Sequence, residues 1–224
     1  MLRAPQPKRD AIIAAAADRF ATTGFANTRI SDIARLAEIG KGTVYEYFSD
    51  KASLLLDACL WSCQVSQQKE LEFTEQLDLV NPVSATHRLM RATLTLSPLH
   101  SLSYSRLFFD LWAIAQDQPA ILAQARERLQ EVYQQREDTL MQMIVAGERV
   151  GHFRMIGDMK FVSRCFTACV DGFMWQTTFR ADVGPERLAN EGADFFVQLL
   201  LREPQRLREF CPLESPIKKS TVGV

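Results

Sequence analysis

Nowhere in the 224 residues does an uncharged apolar run reach the ~18 residues that a membrane span needs, so a bilayer-crossing chain is not expected. AIIAAAA follows Lys8 and Arg9 in the manner of a leader, but Asp10, Asp18 and Arg19 bracket it. It reads as helix, and a cytoplasmic protein with no membrane partner is expected. Catalytic signatures are missing as well: there is no nucleophile elbow, no HExxH and no carboxylate pair of persuasive spacing. GKGT lacks the upstream glycine of a phosphate loop, so neither an enzyme nor a cofactor is expected. Excess charge of one sign is absent too. With 26 basic and 27 acidic residues the net charge is −1, which excludes a chain that coats nucleic acid as a polycation. Histidine is scarce, and His87, His100 and His152 carry little weight as ligands. Of the five cysteines, Cys59 and Cys63 are spaced i, i+4, as are Cys165 and Cys169. Converging metal ligands cannot be read from those pairs, and cysteine mostly behaves as a small apolar core residue, so no metal site is assigned.

What is present is helical patterning with enough length for a real core. The stretch TRISDIARLAEIGKGTVYEYFSDK from Thr28 to Lys51 organises the rest. Ile30, Ile33, Ala34 and Ala37 fall at i, i+3, i+4 and i+7, one narrow apolar stripe on a short helix. Val44 and Phe48 form an i, i+4 pair on the next. That second helix has too little apolar surface to stand alone, so neighbours must hold it while it presents Lys41, Gly42, Thr43, Tyr45 and Glu46. Such a helix suits the major groove of DNA. Lys41 can reach a guanine edge or a phosphate, and Thr43 a base or a thymine methyl. Gly42 has no side chain to hold the backbone off the duplex. Thr28 reads as the N-cap of the first of these helices. Lys51 opens a following helix against its macrodipole, a local cost that an adjacent anion would relieve. Charge distribution allows the same reading: residues 1–55 hold eight Lys/Arg against six acids, and the remainder 18 against 21.

GKGTVYEYFSDK, preceded by DIARLA and by AADRFATTGF, resembles the helix-turn-helix of the TetR (tetracycline-repressor) family of transcription regulators, over about Ile12 to Leu55. The resemblance implies an all-α fold: an N-terminal three-helix DNA-binding head on a larger helical body that binds a small molecule and forms a homodimer. Residue by residue it implies recognition-helix contacts for Lys41, Gly42, Thr43 and Tyr45. Thr28, Tyr47 and Lys51 would contact phosphates, and Ser31 would lie where some members touch a base. Two departures matter locally. Glu38 stands where the family has glycine, so it must accept a left-handed backbone, and Gly40 replaces a serine cap. Glu46 would be repelled by phosphates unless it accepts from a cytosine amino group.

Along the chain, residues 1–7 form a loose arm. A helix over about Lys8 to Thr23 then brings Ile12, Ala16 and Phe20 to one face and closes on Gly24. A long helix from Lys51 to about Leu77 is the one evident mechanical link from head to body. Asn81 and Pro82 mark a break. Further helices are predicted at about Ser84 to Leu96, Ser101 to Gln116, from Pro119 to a Gly151 cap, Asp158 to Arg180 and Pro185 to Arg202. The domain reading is head 1–52, body 53–203 and a loose tail 204–224. Phe161, Cys165, Ala168, Gly172, Trp175 and Phe179 make one stripe, and Leu188, Phe195, Phe196, Leu199 and Leu200 another. Together they exceed what one subunit needs and favour a homodimer. Candidates for an apolar effector pocket are Met90, His100, Tyr104, Arg106, Phe108, Trp112, Phe173 and Trp175. The expected function is a repressor that leaves a double-stranded operator when a small, largely apolar molecule binds.

Overall fold

The computed structural model describes residues 7–75, 81–96, 102–180, 182 and 184–212. Within them the chain folds into α1 (Pro7–Thr23), α2 (Ile30–Leu36), α3 (Lys41–Tyr47), α4 (Lys51–Glu75), α5 (Pro82–Leu96), α6 (Leu102–Asp117), α7 (Pro119–Arg149), α8 (Met159–Phe179), α9 (Pro185–Leu200) and α10 (Leu207–Phe210). The all-α expectation is met. Pairing outside helices among the described residues is one isolated antiparallel bridge, Phe153 with Leu201.

Local chemistry sets the ends of these helices. Pro82, Pro119 and Pro185 each occupy the first helical position, where the missing N–H has no partner to lose. Ahead of Pro82, the Asn81 side-chain oxygen accepts from the backbone N–H of Val83 and of Ser84, both at 3.1 Å. Gly151 adopts φ +80° after α7, its N–H reaching the Glu148 carbonyl at 2.8 Å while that of His152 reaches Gly147 at 3.0 Å. Those two bonds define a Schellman cap, as the glycine predicts. The chain then folds back, and the fully buried Phe153 ring covers Gly147 so closely that a Cβ there would lie 2.2 Å from it.

The chain divides into two compact units, one of residues 1–65 with 101–130, the other of 66–100 with 131–223. This division differs from 1–52 and 53–203, and the reason is visible inside the first unit. There α6 packs directly on α1, and polar bonds fasten α6 and the start of α7 to the head. The Arg106 guanidinium donates to the Thr22 carbonyl at 3.1 Å, and the Phe25 N–H donates to the Asp110 carboxylate at 2.8 Å. The long helix α4 is therefore not the sole element joined to the head. In the second unit α5 packs along α9, and the core gathers Leu94, Leu140, Ile144, Phe153, Phe166 and Val197.

Part of the segment expected as tail lies within the described residues. Residues Pro204–Arg206 form a 3-10 turn and Leu207–Phe210 a short helix, with Leu207 and Cys211 buried in that same core, while residues 213–224 lie outside the described set, as do 1–6. The last-helix stripes divide as well: Phe196 and Leu200 turn into the core, whereas Phe161, Phe179, Phe195 and Leu199 are exposed by 61%, 72%, 57% and 41%.

Candidate nucleic-acid interface

α2 and α3 are held from behind by side chains that the sequence marks as apolar. Ile33 and Ala34 of α2 and Val44 and Phe48 of α3 are all buried. Between the helices Glu38 takes φ +56°, with its N–H on the Arg35 carbonyl at 3.2 Å and that of Ile39 on Ala34 at 2.9 Å. The turn is thus a Schellman closure carried by a non-glycine residue. Glu38→Gly is expected to stabilise the protein by about 1 kcal/mol, since it removes the Cβ cost of that conformation. A urea titration unable to distinguish the variant from the parent would contradict that strain. Gly40 is the N-cap of α3, at φ −70° and ψ 145°, without a side-chain hydrogen bond.

The outward face carries what the groove reading needs. Lys41, Gly42, Tyr45, Glu46 and Tyr47 are exposed, Thr43 is half-buried, and Ser31 is exposed on α2. A Cβ built on Gly42 meets no atom of the chain within 4 Å. Two of the candidate phosphate contacts are placed differently. Thr28 is buried, and its hydroxyl donates to the Gly24 carbonyl at 2.7 Å, so it braces the turn after α1 instead of capping α2. The cap position belongs to Arg29. Lys51 donates to the carbonyls of Phe25 at 2.7 Å and Thr28 at 3.2 Å, with its ammonium 4.2 Å from the Phe25 ring centroid. Carbonyl dipoles and an aromatic face, in place of an anion, offset its position at a helix start. Arg29 was not among the expected contacts, yet it is exposed beside α2. Its signal is a cation directly ahead of the Ile30 stripe.

α4 itself is capped by Asp50, whose carboxylate accepts from the Ser53 N–H at 2.7 Å. That backbone bond lowers the Asp50 pKa from its ordinary 3.8. A carboxyl with a lowered folded pKa contributes stability that is complete above 3.8 and fades as pH falls through the folded value. Asp50→Ala should cost about 1 kcal/mol at pH 7, and the difference from the parent should shrink below pH 4 in paired urea titrations. An undiminished difference at pH 3 would assign the loss to something other than the carboxylate.

Beneath α3, the Arg9 guanidinium lies 5.2 Å from the Phe48 ring centroid and donates to Asp57 at 2.7 Å. Asp57 is buried on α4 and also accepts from Arg128 of α7. One carboxylate thereby ties α1, α4 and α7 together directly behind the exposed helix.

The second unit contains a cleft of about 420 Å³ of atom-free space, part of it open to solvent. It is lined by Gln67 and Glu70 of α4, Leu89 and Thr93 of α5, Gln135, Arg136, Thr139 and Leu140 of α7, and Phe166 of α8. The expected pocket residues are elsewhere. Met90 is packed in the core, and Phe173 lies half-buried against it. Arg106, Phe108 and Trp112 belong to the first unit, where Trp112 is 68% exposed. His100 and the side chains of Tyr104 and Trp175 lie outside the described residues. Aromatic richness pointed to surface and core; the signal for the cleft was Glu70 and Arg136, charges set among apolar helix faces. Burial pushes the pKa of Cys59 well up and raises that of Cys169, which disfavours the reactive thiolate at those two positions. No group of metal-ligating residues is formed, and no helix is long and apolar enough to cross a membrane, among the described residues.

A seven-residue helix presented after a tight turn, on a three-helix head, defines a helix-turn-helix protein. The profile of bacterial regulatory proteins of the tetR family matches residues 12–58. The HTH-type transcriptional regulator YerO of Bacillus subtilis is 39% identical over 70 residues, 31% of this chain and 24% of that protein. The HTH-type transcriptional regulator TtgR of Pseudomonas putida is 34% identical over 85 residues, 38% of this chain and 40% of that protein. The chain thus aligns with less than half the length of each of these relatives. The fatty acid degradation regulator FadR of Bacillus halodurans is similar in fold across 87% of this chain and 97% of that one, with a TM-score of 0.65 at 18% identity. Residues 12–58 are thus similar to the DNA-binding region of bacterial regulatory proteins of the tetR family.

Proposed function

We propose that the protein is a homodimeric, cytoplasmic transcriptional repressor whose grip on a double-stranded operator is relieved by a small molecule bound in the α4–α5–α7–α8 cleft. The observation that carries the reading is α3, gripped through Val44 and Phe48 while Lys41, Gly42, Tyr45 and Tyr47 face outward. Phe161, Phe179, Phe195 and Leu199 supply the apolar area through which α8 and α9 would pair with a second copy. Two such helices would enter successive major grooves about 34–36 Å apart. The cleft, where Glu70 and Arg136 lie among Leu89, Leu140, Phe166 and the polar Gln67, Thr93, Gln135 and Thr139, favours an effector over regulation by a protein partner alone. α7 carries Arg136 in the cleft and, roughly two turns earlier, Arg128 on Asp57; α4 carries Glu70 and Asp57. α4 and α7 thus each have residues in both units. An effector shifts operator binding only by its differential affinity for the two states, typically about 1–3 kcal/mol.

Selection of genomic fragments on the full chain, followed by footprinting, tests this. Near-palindromic sites with half-sites about 10 base pairs apart are expected, and no enrichment over a Lys41→Ala, Tyr45→Ala control would refute the reading. On such a site, Lys41→Ala should reduce the salt slope by about 1 if it meets a phosphate. Lys51→Ala should instead lower the thermal midpoint by several degrees with little change in slope, since its ammonium is held by Phe25 and Thr28. A slope change for Lys51→Ala equal to that for Lys41→Ala would return a phosphate role to Lys51.

A further inference from the structure

Around α3 the side chains divide by angle. Successive helical residues turn by about 100°, so the buried Val44 and Phe48 place the supported side between them, and Glu46 points about 180° from it. Gly42, one turn earlier, lies about 40° from the same outward line, with Tyr45 and Tyr47 to either side of Glu46. The side chain aimed most directly away from the protein is therefore a carboxylate. Glu46 is exposed, and among the described residues it takes part in no hydrogen bond or ion pair. Other acids of this unit are engaged inside the chain: Asp50 caps α4, Asp57 holds Arg9 and Arg128, and Asp32 lies 3.4 Å from Arg35. Arg29, Arg35 and Lys41, exposed cations on and beside α2 and α3, are the groups suited to phosphates.

A helix lying in the major groove has phosphates along its flanks and base edges before its outward line. An ionised carboxylate only accepts hydrogen bonds, so it needs a donor there. Guanine presents N7 and O6, both acceptors, and thymine presents O4 and a methyl group. The N6 amino group of adenine stands between two acceptors, its own N7 and the thymine O4, which repel the second carboxylate oxygen. The N4 amino group of cytosine has an acceptor on one side only, the guanine O6. We infer that Glu46 is a specificity-determining residue that reads a C·G pair in each half-site, its carboxylate accepting from the N4 amino group of the cytosine. The inference rests on α3 being the helix that enters the groove, and it makes the carboxylate a group that selects sequence instead of one that only weakens binding.

Selection from random duplexes with the full chain as parent, Glu46→Gln and Glu46→Ala tests it. Sites aligned for the parent should hold cytosine at one position of each half-site. Glutamine pairs with adenine by donating to N7 and accepting from N6, so Glu46→Gln should move that position to adenine. Glu46→Ala should lose the preference there and keep the rest of the site. A wrong base pair at that position should weaken the parent about tenfold and Glu46→Ala less than about threefold. N4-methylcytosine at the same position keeps its pairing with guanine but puts a methyl where the amino proton faces the groove. It should reproduce the loss for the parent and leave Glu46→Ala nearly unchanged. If both variants bind every duplex more tightly than the parent with its base preferences intact, Glu46 only repels phosphates, and the inference falls while operator binding stands. Should none of the three proteins enrich any sequence, the groove reading of α3 falls first and the inference with it.

Discussion

Asp57→Ala should cost about 3 kcal/mol of stability, the lower part of the range for breaking a buried ion pair by removing one partner. The lower part applies because Arg128 keeps 40% of its side chain exposed and can be rehydrated, whereas Arg9 keeps 18%. The loss comes from stranding two guanidinium groups behind α3, one of them stacked on Phe48, more than from any attraction between the charges. Arg128→Ala leaves Asp57 paired with Arg9 and should cost less than half as much. Urea titrations of both single variants and the double variant give the coupling directly. Equal midpoints for Asp57→Ala and the parent would show that the carboxylate does not hold these helices. The same geometry bears on where the head ends. A fragment stopping near residue 58, the end of the family match, lacks α6 and Arg128, so it loses the cover of α1, the Arg106 bond to the last turn of α1 and the Asp110 bond to the turn after it.

That dependence marks the boundary between what could and could not be read from the chain alone. Periodicity and punctuation located the helices, because Ile12, Ala16 and Phe20, or Val44 and Phe48, are spaced by the helix itself and the prolines and glycines act within one turn of where they stand. Glu38 illustrates the same locality: its left-handed backbone follows from the closure of a short turn, and the structure has it at φ +56°. Contacts at long sequence separation were not legible. Nothing near Asp57 indicates that Arg128 reaches it, and nothing near Thr93 indicates Glu70. The effector candidates were chosen without such contacts. Trp112 and Phe108 are aromatic at helical spacing, which identifies a face without identifying what the face meets. At Lys51 the cation at a helix start suggested an external anion, and the sequence did not indicate the Phe25 and Thr28 carbonyls that its ammonium meets.

Gly42→Ala is expected to move folding and operator binding in opposite directions. Glycine within a helix is about 0.8–1.0 kcal/mol less favourable than alanine, and α3 is only seven residues long, so the penalty falls on an element with little reserve. Inside the chain nothing requires it. Its backbone does not take the left-handed region, and an added methyl would touch no atom within 4 Å. The variant should therefore unfold at a higher urea concentration than the parent by an amount approaching 1 kcal/mol. What the missing side chain leaves open lies outside the protein, between Lys41 and Thr43 on the exposed side of the helix, where a duplex would press closest. A methyl there should weaken operator binding about 10- to 100-fold, or about 1.4–2.8 kcal/mol, the scale of one lost base contact. Serine at the same position should weaken binding by a similar factor with a smaller gain in stability, which separates bulk from helix propensity. Operator affinity unchanged in a stabilised Gly42→Ala protein would mean that the duplex does not approach α3 at this turn, and the orientation assigned to the helix in the groove would have to be rotated away from Gly42.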